Sequence, residues 1–224
     1  MPKIIITEDG SHSLKLPGLD EHYHSVHGAI AESMHVFIRA GLEKMLESSP
    51  GNINILEVGF GTGLNALLTL AAIHKETVVV KYTALEPFPL PADTWQALNY
   101  PELIMADKTE PWFRDLHDAP WGEMHEITAG FYLQKLREGI VDLDVDVPTF
   151  NLVYFDAFGP DVQPELWTDE MFKLLAQVTV KDGILVTYSA KGSVRRAMQS
   201  AGFSVERLPG PKGKREMLRA TRFY

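Results

Sequence analysis

The chain contains no cysteine. That excludes a disulfide framework, a thiolate metal site and a cysteine nucleophile. Long apolar runs are missing too. Stretches such as Ile184–Val186 fall far short of the ~20 residues that a membrane span requires. The N-terminal residues turn acidic at Glu8 and Asp9, too early for a secretory signal, so a cytoplasmic location is expected. What is present is ordinary globular material: 224 residues, 45% hydrophobic and 23% charged. This excludes a disordered chain, a coiled coil and a collagen-like repeat. One α/β domain over 1–224 is expected, because a chain of this length buries about 70% of its unfolded surface without staples.

The formal charge of −9 is unevenly spread. Residues 187–224 hold nine lysines and arginines against two glutamates, whereas residues 1–186 hold twelve against twenty-eight. A basic C-terminal face on an acidic body suits local contact with phosphates, while the body repels non-specific binding. Chance segregation of solubilising charge is the plainer alternative.

Local patterns order the chain. Residues 4–6 and 13–16 flank Asp9-Gly10, a pair that supplies the positive φ angles of a hairpin turn. Ile30, Met34, Phe37, Ile38, Leu42 and Met45 recur at helical spacing over 29–46. Residues 1–52 therefore read as a hairpin and helix extension, or lid. Strands then alternate with helices. Strands are expected at 53–58, 78–86, 125–128, 150–156, 183–189, 203–208 and 216–220, with helices at 64–74, 92–98, 132–137, 165–179 and 193–201. Alternation implies a mostly parallel, doubly wound sheet with helices on both faces. The loop 209–214 is too short for a crossover, so the last strand should be antiparallel.

The most specific local signal is Glu57-Val-Gly59-Phe-Gly61-Thr-Gly63-Leu-Asn65, running from a strand into a helix. Its glycines permit a sharp turn and a close approach of backbone to ligand. The spacing is Gly-x-Gly-x-Gly, not the Gly-x-Gly-x-x-Gly of dinucleotide folds. Glu57 can face an ammonium, which the methionine part of S-adenosylmethionine carries. Glu86 closes the second strand, where a carboxylate can accept both hydroxyls of a ribose. A ligand-free turn and a helix-capping acid are the bland readings of these two features.

Asp156 follows the fourth strand in Asp156-Ala-Phe158-Gly-Pro160. Ligands sit beyond the carboxyl ends of such strands, so Asp156 should point into the cleft, where it can orient an amine and stabilise developing positive charge. A carboxylate also favours the unreactive ammonium, so its expected task is orientation and proton acceptance. A turn acid is the alternative. Trp112, Trp121 and Trp167 read first as packing anchors; Trp167 is kept as a substrate contact because it follows the Asp156 loop. His22, His24 and His27 lack a recognisable ligand set, so no metal is expected and they read as a lid, with Tyr23 its best stacking residue. Lys191, Arg195, Lys212, Lys214 and Arg215 suit a phosphate backbone, or simply a solvated surface.

Four blocks resemble one family closely: residues 57–65, residues 86–90, residues 155–160 with 164–167, and residues 194–203 with Lys214-Arg-Glu-Met-Leu218. Together they look like the methyltransferase domain of MnmC-type bacterial tRNA-modifying enzymes. The resemblance implies a Rossmann-like class I S-adenosylmethionine-dependent methyltransferase with a seven-stranded sheet. It implies methylation of the aminomethyl group of 5-aminomethyl-2-thiouridine at the tRNA wobble position. Glu57, Gly59, Gly61, Gly63, Asn65 and Glu86 would hold the cofactor, and Asp156 would be the catalytic-site acid. Phe158 and Trp167 would meet the substrate, with the basic tail against the anticodon stem-loop. Bifunctional members carry a second, FAD-dependent oxidase domain, and a stand-alone version without it is expected here. The acid expected after the third strand is replaced by Phe131 after Gly130, and Val162 stands where a basic residue is common. The alternatives are a methyltransferase of a small amine or another nucleoside, and a non-catalytic S-adenosylmethionine-binding domain.

Overall fold

The computed structural model describes residues 2–16, 21–104, 108–144 and 148–223. Strands β1 (Lys3–Ile6) and β2 (His12–Lys15) form an antiparallel hairpin, and Gly10 takes φ +84° in its turn. That turn has a second task. Asp9 Oδ2 accepts the Ala31 N–H at 2.9 Å, and Ser11 Oγ accepts that of Ala29 at 3.0 Å. The hairpin thereby satisfies the first amides of the next helix, which Gly28 at the N-cap position has no side chain to reach.

That helix, α1, runs without a break through Ala29–Ser33, a π-wound Met34–Glu43 and Lys44–Leu46. Its apolar face, with Val36, Phe37, Ile38 and Leu42, is buried. Gly41 brings the backbone down onto the sheet, since a Cβ there would lie 3.0 Å from Val186 Cγ2.

The main sheet comprises β3 (Asn52–Val58), β4 (Val79–Leu85), β5 (Met124–Thr128), β6 (Phe131–Leu136), β7 (Phe150–Phe155), β8 (Thr179–Thr187), β9 (Phe203–Pro209) and β10 (Glu216–Arg222). Its order is β5-β6-β4-β3-β7-β8-β10-β9. Strands β6, β4, β3, β7 and β8 are mutually parallel. Strand β10 is antiparallel to both neighbours, as the short loop requires. Helices α2 (Leu64–Ile73), α3 (Thr109–Asp118), α4 (Asp169–Val178) and α5 (Gly192–Ser200) complete the layers. Alternate strand residues feed two cores. Ile55, Tyr82 and Tyr154 pack with α1, α2 and α3, and Leu56, Phe155 and Leu185 pack with α4 and α5.

Several elements differ from expectation. The sheet has eight strands among the described residues, and the stretch expected as the third parallel strand is β5, an antiparallel edge. The true third strand is β6, over residues expected to be helical. Its leucines, glutamine and lysine favour a helix in isolation. Burial instead alternates along Phe131–Leu136, and parallel pairing with β4 overrides the local preference. Helix α3 was not anticipated, and the helix expected from 165 is a 3₁₀ turn, Pro164–Trp167, followed by α4.

Candidate active site

The chain leaves β3 for neighbours on opposite sides, β4 and then β7. The crevice at such a reversal lies beyond the carboxyl ends of the strands, where Val58 and Phe155 end. Gly59 turns there with φ +96°, and a Cβ on it would stand 3.0 Å from the Asp156 carbonyl oxygen. The turn is stitched to both flanking strands: Gly59 N–H donates to Leu85 O at 3.0 Å, and Asp156 N–H donates to Val58 O at 3.1 Å. Gly61 (φ +50°) lies against the Tyr23 ring, where a Cβ would stand 3.3 Å from Cδ1.

Three polar side chains meet behind this turn. Asn65, on the first turn of α2, donates through Nδ2 to Glu57 Oε1 at 3.0 Å and to Asp156 Oδ2 at 2.8 Å. Glu57 is fully buried. Burial, then the neighbouring Asp156, pushes its carboxyl well above the usual range, against the Asn65 hydrogen bond. Burial does the same to Asp156, opposed by Asn65 and by Lys214. Glu57 Oε2 and Asn65 Oδ1 are buried without a hydrogen-bond partner. Two crowded acids and two orphaned acceptors make a pocket for a cation.

Glu86 is fixed differently. Its carboxylate accepts the Gly61 N–H and the Phe88 N–H, each at 2.9 Å. Both oxygens retain a lone pair for further donors. Beside it the Phe88 ring is 82% exposed, a large apolar face at the cavity edge. The loop that follows this third parallel strand lies downstream of β6. It is 137–140, and Glu138, Gly139 and Ile140 line the cavity. An acid therefore does stand after the third strand, whereas Gly130 lies in the β5–β6 turn and Phe131 opens β6.

The cavity has a volume of about 670 Å³. A family model described as S-adenosyl-L-methionine-dependent methyltransferase matches residues 105–222. The chain belongs to this methyltransferase family. It is 32% identical over 209 residues to the tRNA 5-methylaminomethyl-2-thiouridine biosynthesis bifunctional protein MnmC of Azoarcus sp. (strain BH72), covering 88% of this chain and 32% of that protein. The protein of the same name from Burkholderia thailandensis is 31% identical over 229 residues, covering 96% of this chain and 34% of its own length. The chain thus spans about a third of the length of these relatives. Among solved structures, MNMC2 from Aquifex aeolicus aligns with a TM-score of 0.77 at 28% identity, over 98% of this chain and 70% of that one. A spermidine synthase from Thermotoga maritima, at a TM-score of 0.54 and 12% identity, shares the fold alone.

The cleft of this methyltransferase suits S-adenosylmethionine. The orphaned acceptors of Glu57 and Asn65 match an ammonium, the free lone pairs of Glu86 match a diol, and Phe88 and Ile140 offer apolar faces to a purine. Glu57 and Gly63 lie beneath the cavity surface, whereas Gly59, Gly61, Asn65, Glu86 and Asp156 line it.

The far wall comes from distant sequence. Residues 21–27 line one side, where Tyr23 meets Phe158 edge-on with centroids 5.1 Å apart. Burial raises the Tyr23 pKa to about 12 and lowers that of His24 to about 4. The Asp156 loop is held from below: Tyr188 Oη donates to Ala157 O at 2.8 Å, Trp167 Nε1 donates to Phe158 O at 2.8 Å, and Gln163 Oε1 accepts the Phe158 N–H at 3.1 Å. Trp167 is buried and does not line the cavity, so it positions the loop and offers no stacking face there.

The basic tail divides. Lys191 pairs with Asp161, and Lys212 pairs with Glu8 at 2.7 Å. Arg195 is half-buried on α5, and Arg215 is exposed. None of these four lines the cavity, but Lys214 does. Its Nζ lies 2.7 Å from Glu32 Oε1 and 3.9 Å from the centroid of the Tyr188 ring. Sequence reading missed Glu32, Tyr188, Gln163, Phe88 and Glu138. Only Phe88, two residues after Glu86, had a local signal. Among the described residues, no group of three or more histidines and acids has the spacing of a metal site.

Proposed function

We propose that this methyltransferase acts on the aminomethyl nitrogen of 5-aminomethyl-2-thiouridine at the tRNA wobble position, forming 5-methylaminomethyl-2-thiouridine. The observation that carries this reading is Asp156. It faces the cavity, is fixed by Asn65, and stands where an amine can enter beside the cofactor-binding turn. The relatives' names add the nucleoside.

In this reading Glu57 and Asn65 hold the cofactor's ammonium, Gly59 and Gly61 let the turn approach the cofactor closely, and Gly63 shapes the turn from beneath. Glu86 takes the ribose hydroxyls, with Phe88, Glu138 and Ile140 around the adenine. The cofactor supplies an electrophilic sulfonium methyl, which leaves its sulfur for the acceptor nitrogen while the bonding pair stays on sulfur. Asp156 aligns that nitrogen by a hydrogen bond and takes the proton that the methylated nitrogen releases. Tyr23 and Phe158 flank the base. Lys191, Arg195, Lys212 and Arg215 meet phosphates of the anticodon stem-loop. The exposed ion pairs of Lys191 with Asp161 and of Lys212 with Glu8 are worth at most about 1 kcal/mol each and exchange readily for phosphate. Residues 1–224 act as one unit, with 1–52 as its lid-bearing extension, in the cytoplasm where tRNA is modified.

The deciding experiment is transfer of labelled methyl into unmodified tRNA and into tRNA carrying 5-aminomethyl-2-thiouridine. Incorporation confined to the aminomethyl tRNA supports the assignment. Tight cofactor binding without incorporation into either tRNA overturns it.

A further inference from the structure

Amine methylation poses a problem that Asp156 alone worsens. The attacking nitrogen needs a free lone pair, yet carboxylates around an amine raise its pKa and favour the inert ammonium. The acceptor end of this cleft is rich in carboxylate: Asp156 faces it, Glu57 lies behind, and Glu32 lines the wall from α1. Glu32 is almost wholly buried, with a side-chain exposure of 8%, and its Oε2 accepts the Ser25 N–H at 2.7 Å.

One cation reaches into this group. Lys214 comes from the β9–β10 loop, which is seated on the N-terminal segment. There Gly213 lies so close to the His27 ring that a Cβ would overlap it, and His35 Nε2 meets Pro209 O at 2.8 Å. The loop delivers the ammonium between the Glu32 carboxylate and the Tyr188 face, and Tyr188 in turn holds the Asp156 loop. An exposed phosphate-binding lysine needs none of these partners.

We propose that Lys214 sets the charge of the acceptor site, its ammonium offsetting the carboxylates so that the incoming amine is held unprotonated and nucleophilic. This inference rests on the amine-acceptor reading above. A fixed positive neighbour disfavours a second positive charge, and Glu32 both holds Lys214 in place and limits its effect. The titratable groups facing Lys214 are Glu32, Asp156, Tyr188 and His24, with Glu21 nearby on the same wall. His24 and Tyr188 titrate outside the window from pH 6 to 9, His24 below it and Tyr188 above it. Burial raises the Asp156 pKa, opposed by Asn65 and by Lys214.

The test is the pH profile of kcat for methyl transfer, at saturating cofactor and aminomethyl tRNA, where the groups that titrate in the bound complex are read. Lys214→Met should move the rising limb up by about one pH unit, lowering the rate near pH 7 about tenfold and restoring it above pH 9. Lys214→Arg should keep the wild-type limb, and Glu32→Gln should move it down. The Lys214→Met shift should persist in an Asp156→Asn background, read under single-turnover conditions, because the titrating group is then the acceptor nitrogen. A Lys214→Met enzyme slowed equally at every pH assigns Lys214 a structural role and overturns the proposal. So does a shift that disappears with Asp156→Asn. Wild-type protein that binds cofactor yet methylates no aminomethyl tRNA overturns the proposed function itself, and this inference with it.

Discussion

The floor and the far wall of the cleft are built on opposite principles. The floor is backbone: strand ends, a glycine turn and the first turn of α2, stitched by amide hydrogen bonds between neighbouring elements. The wall is side chain: residues 21–32 and 210–215, joined by Lys214–Glu32, Lys212–Glu8 and the contact of Gly213 with His27. The floor suits a ligand that is the same in every turnover, while a wall of exchangeable contacts suits a large acceptor that must enter and leave.

The sharpest break of this contrast is at Asp156, where floor and wall meet. Asp156→Ala should lower kcat for methyl transfer by about 10²- to 10⁴-fold, with cofactor affinity by calorimetry changed less than about threefold. A larger loss of affinity than of rate would return Asp156 to the cofactor floor.

The next effect is acid destabilisation. Burial holds His24, in the wall, to a pKa of about 4 and His117, behind the floor, to about 3. Both lie below the unfolded value, so their stabilisation is present above about pH 6.5 and is lost as pH falls through the folded values. Each histidine costs at most about 1.4 kcal/mol per pH unit over that window. Thermal unfolding followed from pH 7 to 4 should show the decline. His117 stacks on Trp95 at 4.4 Å and donates to Thr62 O, so replacing each histidine in turn apportions the slope between floor and wall.

Gly59→Ala attacks the floor alone. The positive φ and the close Asp156 carbonyl should cost roughly 1–2 kcal/mol of stability and weaken cofactor binding at least about tenfold, while the KM for tRNA stays put. Asp9→Ala attacks the wall alone. Removing the cap on α1 should cost about 1 kcal/mol, a small fall in Tm, and should raise the tRNA KM with cofactor affinity unchanged. Equal effects of these two changes on both ligands would dissolve the distinction.

The same division explains what could be read from residue order. Glu57, Gly59, Gly61, Asn65 and Glu86 fall within thirty residues, and a strand-to-helix turn constrains neighbours in sequence, so the floor was legible. Asp156 was legible because a strand end fixes where its last side chain goes. Strand β6 was not, since its residues prefer a helix until β4 pairs with them, and the error hid Glu138. Glu32 and Tyr188 carry no local signal at all; only the packing of α1 and β10 against β8 places them. Lys214 was noticed for its charge and assigned to phosphate, because composition cannot tell an inward lysine from an outward one.

The distance along the chain between Lys214 and Glu32 has a consequence for synthesis. The floor contact of Asn65 with Asp156 spans 91 residues, whereas the wall contact of Lys214 with Glu32 spans 182. Closing the longer loop carries the larger entropic cost and the slower search. A chain growing from the ribosome can therefore assemble its glycine turn while the far wall still lacks half of its residues. Until the β9–β10 hairpin docks, the cavity of a nascent molecule has its glycine-turn side and lacks the side that Lys214 closes.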